Sequence, residues 1–339
     1  MLETTRRRAL HFLALLGLGG SGLARAANAA VEAADAEPDA WPSMATRKLG
    51  RTGFEGSRLV FGCGAALMFW RRDELLETAL EHGVNVFDVG TSDYYRYAEE
   101  NLAAFAKKHR DRIFLISKGL VGMEIEPGQA LSVEQLRMAS RSWSNALDKS
   151  LTELATDHVD AYYVMAANNV SLIRSEEMYA AFEKAKQAGK VDHWGVSTHQ
   201  NAAAVLEAAA DTGWYSLAQI AVTPAGWYDW NAKAVDKGSK PMKALRPTFD
   251  KARAAGIGLI GMKAARHLAG SFFGLGPDRL GAFDAQYDDA YLKTKLSAFQ
   301  RSYAYVLAHG LDAVNADSQS LEHLRENFTA AATSERYFT

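Results

Sequence analysis

Two apolar runs in this sequence end on opposite charges: NVFDVG (85–90) delivers Asp88, and IFLISK (113–118) delivers Lys118. A charge at the end of a buried run is tolerated when it is paired, so the pattern points to a buried Asp–Lys pair. Three tyrosines, Tyr94, Tyr95 and Tyr97, follow Asp88 in the same loop. A phenol packed against the Lys118 ammonium would have its pKa lowered, as a proton donor working near neutral pH requires. The alternative of equal weight is an aromatic surface loop above a structural ion pair, because such pairs perturb pKa values without catalysing anything.

The elements that must carry these residues repeat. Eight short β-branched or aromatic runs occur, from LVFGCG (59–64) to LDAVNA (311–316), separated by amphipathic stretches such as 71–83, 132–155 and 176–190. Ser132 with Gln135 forms a capping-box pattern, and Gly83 and Gly189 stand where helices stop. Nearly continuous apolar strands are buried on both faces, which requires parallel pairing under an outer layer of helices. The pattern predicts an α/β fold, a closed (β/α)8 TIM barrel. An open doubly wound sheet would be expected to carry G-x-G-x-x-G after its first strand, and Gly62-Cys63-Gly64 supplies only G-x-G. Barrel active sites lie at the C-terminal strand ends, which here are Cys63, Asp88, Lys118, Met165, Ser197, Gln219, Met262 and Asn315.

Charge and composition bound the partners. With 38 Lys+Arg against 40 Asp+Glu and no internal basic block, nothing points to nucleic acid. The single cysteine, Cys63, excludes an intramolecular disulfide and any Cys-cluster metal site made by this chain alone. Residues 1–26 run from Arg6-Arg7-Arg8 through a glycine-interrupted apolar stretch to Ala24-Arg25-Ala26, the order of an export signal with a small-x-small cleavage site. The paired arginines resemble a twin-arginine signal, which implies the twin-arginine export machinery as a partner and a periplasmic or otherwise exported destination. The apolar stretch is shorter than the roughly 20 residues of a spanning helix, so no stable membrane span is expected after cleavage. Residues 27–44 read as a flexible tether, and 45–339 as one barrel domain.

Several segments, in one order, resemble the aldo-keto reductases: TRKLGRTGFEGSRLVFGCG (46–64), HGVNVFDVGTSDYYRYAEENLAAF (82–105), DRIFLISKG (111–119), VDAYYVM (159–165), AKQAGKVDHWGVST (185–198) and LDAVNADSQSLEHLRENF (311–328). The resemblance covers essentially all of 46–330. It implies a barrel oxidoreductase that moves a hydride between NADP or NAD and a small-molecule carbonyl or alcohol. It implies Asp88, Tyr94 and Lys118 as the catalytic group, with Tyr95 the alternative tyrosine. The family's histidine falls on Met165, whose thioether cannot donate a hydrogen bond to a carbonyl. Ser197, Thr198 and Gln219 correspond to the residues that hold the nicotinamide amide, and Met262 and Lys263 follow where an aromatic often stacks. Asn327 belongs to the adenosine end. There Asp317 and His323 stand where a lysine and an arginine commonly grip the 2′-phosphate, which argues against tight NADP binding by the usual contacts.

Two other classes compete with the oxidoreductase. One is a catalytically silent exported barrel used for binding, suggested by Met165 and Asp317. The other is a soft-metal site for copper, built from Cys63, Met165, Met262 and His199, against which stands the ordinary use of methionine as core filler. Trp227, Tyr228 and Trp230 after the sixth run either wall a substrate pocket or pack between loops. His82, His109, His158 and His309 read as capping or solvated groups.

Overall fold

A computed structural model describes residues 40–269 and 278–338 of the chain. The predicted export signal and residues 27–39 of the predicted tether lie outside the described residues, and 40–45 have no regular secondary structure. A compact unit runs from Pro42 to Thr339.

The apolar runs become eight strands: β1 (Leu59–Gly62), β2 (Val86–Asp88), β3 (Phe114–Gly119), β4 (Val159–Val164), β5 (Val191–Thr198), β6 (Leu217–Thr223), β7 (Gly258–Met262) and β8 (Ala313–Ala316). Each pairs in parallel with the next, and β8 pairs with β1, so the sheet closes. One helix of nine or more residues follows each strand: α1 (Asp73–Glu81), α2 (Ala98–His109), α3 (Val133–Glu153), α4 (Glu176–Gln187), α5 (Ala202–Thr212), α6 (Arg246–Ala254), α7 (Ala298–Ala308) and α8 (Leu321–Thr333). This is the predicted (β/α)8 barrel.

Local chemistry sets the boundaries. Ser132 and Gln135 close a reciprocal capping box on α3, and Ser297 with Gln300 does the same for α7. Gly83 and Gly189 adopt φ of 98° and 73° just beyond helix ends, the left-handed region that favours glycine. The barrel interior fills with Val60, Val86, Ile116, Tyr163, Leu217 and Ile260, closed from below by Leu49. Leu49 sits in the turn of an antiparallel hairpin, Thr46–Lys48 with Glu55–Ser57, which plugs the N-terminal end. Each such fully buried side chain contributes about 1.5–3 kcal/mol relative to exposure.

After β6 the chain folds back in two short antiparallel strands, Gly226–Asp229 and Ala234–Val235. Trp227 and Tyr228 are buried there, Trp227 with its edge against Phe249, so these aromatics serve packing between loops. Among the described residues no helix is long and apolar enough to cross a membrane.

Candidate active site

A cavity of about 460 Å³ opens at the C-terminal mouth of the barrel, the end where the strands deliver Asp88, Lys118, Ser197, Gln219, Met262 and Asn315. The β1–β2 register pairs Gly62 with Asp88, and the β5–β6 register pairs Ser197 with Gln219. Parallel pairing thus sets residues far apart in sequence side by side.

Asp88 and Lys118 form the expected buried pair, each 4% exposed. Lys118 Nζ donates to Asp88 Oδ1 at 2.6 Å and Oδ2 at 2.7 Å, and also to the Val89 carbonyl. Two further donors reach the same carboxylate: Gln219 Nε2 at 3.2 Å from Oδ2, and Asn315 Nδ2 from β8. The Asn315 contact depends on Gly62, because a Cβ there would stand 2.5 Å from Asn315 Oδ1. At Gly64 a Cβ would meet the Tyr95 ring at 2.7 Å. The G-x-G is therefore a pair of clearances for two site side chains.

Of the two tyrosines the sequence offered, Tyr94 is 46% exposed and outside the cavity lining, whereas Tyr95 lines it. Both lie on a single helical turn, Ser92–Tyr95, whose roughly 100° rotation per residue turns one ring in and the next out. The rings meet edge to face at 4.8 Å. The residue after Tyr95, Arg96, holds a φ of 52°, an uncommon conformation for a non-glycine residue that ends the turn just past the phenol.

The expected lowering of the phenol pKa is corrected. Burial, then the charge of Asp88, hold the Tyr95 phenol above its usual range, and Lys118 gives no relief. The ammonium spends its three donors on Asp88 and the Val89 carbonyl, so none faces the phenol. Tyr95 stays protonated at neutral pH.

On the β5–β6 wall, Ser197 Oγ and Gln219 Oε1 are buried polar atoms with no protein partner, and both residues line the cavity. Thr198, expected beside them, does not line it. Adjacent strand residues face opposite sides, and the Thr198 hydroxyl donates to the Gln200 carbonyl at 2.6 Å. Met165 is buried, 4% exposed, and outside the cavity lining. Nor do the soft-ligand candidates converge: the Cys63 thiol is buried against the Phe61 carbonyl at 3.6 Å, and only Met262 and His199 line the cavity.

His199, just past β5, is the group that strand-end reasoning underrated. Burial first, then Lys263, Lys118 and Lys233, push its pKa down to about 3, so a neutral imidazole faces the cavity. On the β7–β8 side, Lys263 lies 4.3 Å from the Trp230 ring centroid and has its pKa lowered to about 8, chiefly by burial. Asp317 opposes that shift, and Asp317, His323 and Asn327 all line the same end of the cavity. Asn327 Nδ2 donates to the Asp317 carbonyl at 3.3 Å and to Ser318 Oγ at 3.1 Å, fixing the start of α8.

A closed (β/α)8 barrel with an Asp–Lys pair and a tyrosine at its C-terminal mouth defines the class. The chain belongs to the aldo/keto reductase family, whose model matches residues 66–270. An uncharacterized oxidoreductase of Bacillus subtilis, YqkF, is 29% identical over 165 residues, 46% of this chain and 49% of that protein. The chain thus spans about half the length of the curated relative it matches. The fold is shared with an aldo-keto reductase from Klebsiella pneumoniae in complex with NADPH, at TM-score 0.60 and 20% identity over 85% of this chain and 89% of that one. An aldo-keto reductase from Bacillus halodurans in its holo form aligns with TM-score 0.60 and 20% identity over 85% and 90% of the two chains.

Proposed function

We propose that this chain is a nicotinamide-dependent oxidoreductase acting on a small carbonyl or alcohol at the barrel mouth. The observation that carries the reading is the pair of orphaned atoms, Ser197 Oγ and Gln219 Oε1, on register-paired strands beside Asp88 and Lys118. A carboxamide offers one acceptor and two donors. The Ser197 hydroxyl would donate to its oxygen and Gln219 Oε1 would accept from its nitrogen, so the residues present fit that end of a nicotinamide cofactor. When bound, the cofactor supplies or accepts the hydride. The Klebsiella neighbour, a complex with NADPH, supports a nicotinamide in this fold.

The protein's own part is to place and hold charge. Tyr95, protonated and facing the cavity, donates its phenolic proton to a carbonyl oxygen as negative charge grows there. Lys118 and Asp88 line the cavity as a fixed ion pair, and Gln219 and Asn315 hold the carboxylate in place. The neutral His199 lines the same cavity as an uncharged donor. Lys263 presents a cation to cofactor phosphates, and Asp317 favours a ribose hydroxyl over a 2′-phosphate, so NAD(H) is the preferred nicotinamide.

Fluorescence titration with NADH tests the reading directly. Ser197→Ala and Gln219→Ala should each weaken NADH binding about tenfold, one neutral hydrogen bond's share. Unchanged affinity in both variants overturns the assignment of this wall. The reading extends to location: Arg6-Arg7-Arg8 and Ala24-Arg25-Ala26 support twin-arginine export. Intact mass should then show a mature chain beginning near Ala27, and persistence of export in an R7K/R8K variant would refute that route.

A further inference from the structure

Outside the barrel wall, two glutamates meet behind the site. Glu99, on the first turn of α2, is buried, and Glu153 ends α3; the side chains face each other where those helices touch. Glu99 Oε1 accepts from Ser117 Oγ at 2.6 Å, and Ser117 is the residue before Lys118. Glu153 Oε1 accepts from Ser92 Oγ at 2.9 Å, and Ser92 opens the turn that ends in Tyr95. The remaining oxygens, Glu99 Oε2 and Glu153 Oε2, are both buried with no donor. Two ionised carboxylates would leave both atoms unsatisfied in mutual repulsion, whereas one proton between them satisfies both.

We propose that the Glu99–Glu153 carboxyl pair positions the Tyr95 turn against β3 through a single shared proton, and that loss of this proton as pH rises loosens the turn. Backbone and surface contacts also tie the turn. The Thr91 amide donates to the Lys118 carbonyl at 2.9 Å, and Lys149 meets Asp93 at 2.5 Å in a half-exposed, screened pair. The glutamates therefore supply its buried side-chain anchor. The groups facing the pair from the packed elements are few. Ser117 comes from β3, Ser150 and Lys149 from α3, Tyr162 from β4 with its hydroxyl 3.0 Å from Ser150 Oγ, and Asp93 from the turn itself. Lys149, the cation among them, is already taken by Asp93. Burial first, then Glu153, raises the Glu99 carboxyl to about 7, which puts the event in the range where an enzyme works.

Glu99 and Glu153 act through the turn and are positioning residues, so the importance of this device rests on Tyr95 being the acid, whereas its test does not. Hydrogen exchange of the Tyr95 and Arg96 amides is followed from pH 5 to 9 on the whole protein, corrected for the intrinsic pH dependence of exchange. In the wild type, protection should fall by up to about tenfold per pH unit as pH rises toward about 7, the slope for one proton released on opening, and should level off above it. Glu99→Gln carries a permanent N–H in place of the proton, so its protection should be flat over the same range. Should that variant fail to fold, Ser92→Ala cuts only the tie to Glu153, and it should lower protection at pH 6 and flatten the profile. A flat wild-type profile, or the wild-type slope retained in Glu99→Gln or Ser92→Ala, overturns the proposal. Because no substrate or cofactor is used, the result is independent of whether the chain turns over.

Discussion

The Asp88–Lys118 pair is where stability and site geometry meet most tightly, and a double-mutant cycle measures both. Lys118→Met leaves a buried carboxylate facing only Gln219 and Asn315, and Asp88→Asn leaves a buried ammonium with the Val89 carbonyl and a neutral amide. Removing one partner of a buried pair costs about 3–5 kcal/mol, because the remaining charge stays desolvated without compensation. At a urea slope of roughly 3 kcal/mol per molar, each single variant should lose about 1–1.7 M from its unfolding midpoint. The Asp88→Asn/Lys118→Met double variant removes both charges and should cost no more than either single one, a coupling of at least about 3 kcal/mol. The assay is urea unfolding followed by tryptophan fluorescence, with the slope held as a check on two-state behaviour. Single variants that each lose less than about 1 kcal/mol, or a double variant equal to their sum, would refute a desolvated pair and leave a solvated one with no hold on the site.

Three further outcomes follow from the cavity. Tyr95→Phe should abolish reductase turnover with either nicotinamide while Tyr94→Phe retains most of it, read as kcat with an activated carbonyl; the reverse order would return the acid to Tyr94. Asp317→Lys should strengthen NADPH binding selectively, by about 1.5–3 kcal/mol at most for one charge-assisted contact, and wild-type protein should bind NADPH no tighter than NADH. Lys263 carries its charge below about pH 8 and loses it above, so NADH affinity should fall as pH rises through that value, and Lys263→Met should bind weakly with no such pH dependence.

Much of this protein was legible in one dimension because its governing interactions are local. Strand runs, helix periods, the Ser132 cap and the glycine stops at 83 and 189 each depend on residues a few positions apart, and eight repeats of one pattern leave few topologies. A charge ending an apolar run is visible in the same way, so the Asp88–Lys118 pair and the Ser197–Gln219 wall could be placed from spacing and resemblance. What tertiary structure alone decided depends on direction and on contacts across the barrel. Tyr94 and Tyr95 are alike in sequence, and the rotation of one helical turn puts only Tyr95 in the cavity. Met165 follows β4 directly yet lies outside the lining, while His199, which follows β5 directly, lies within it. Thr198 was lost to the alternation of side chains about the strand. Asn315 meets Asp88 across 227 residues because Gly62 has no side chain, and Glu99 meets Glu153 only because α2 packs on α3. Closure of the sheet and packing of its helices create those neighbours, and no periodicity in the chain encodes which side chain faces which.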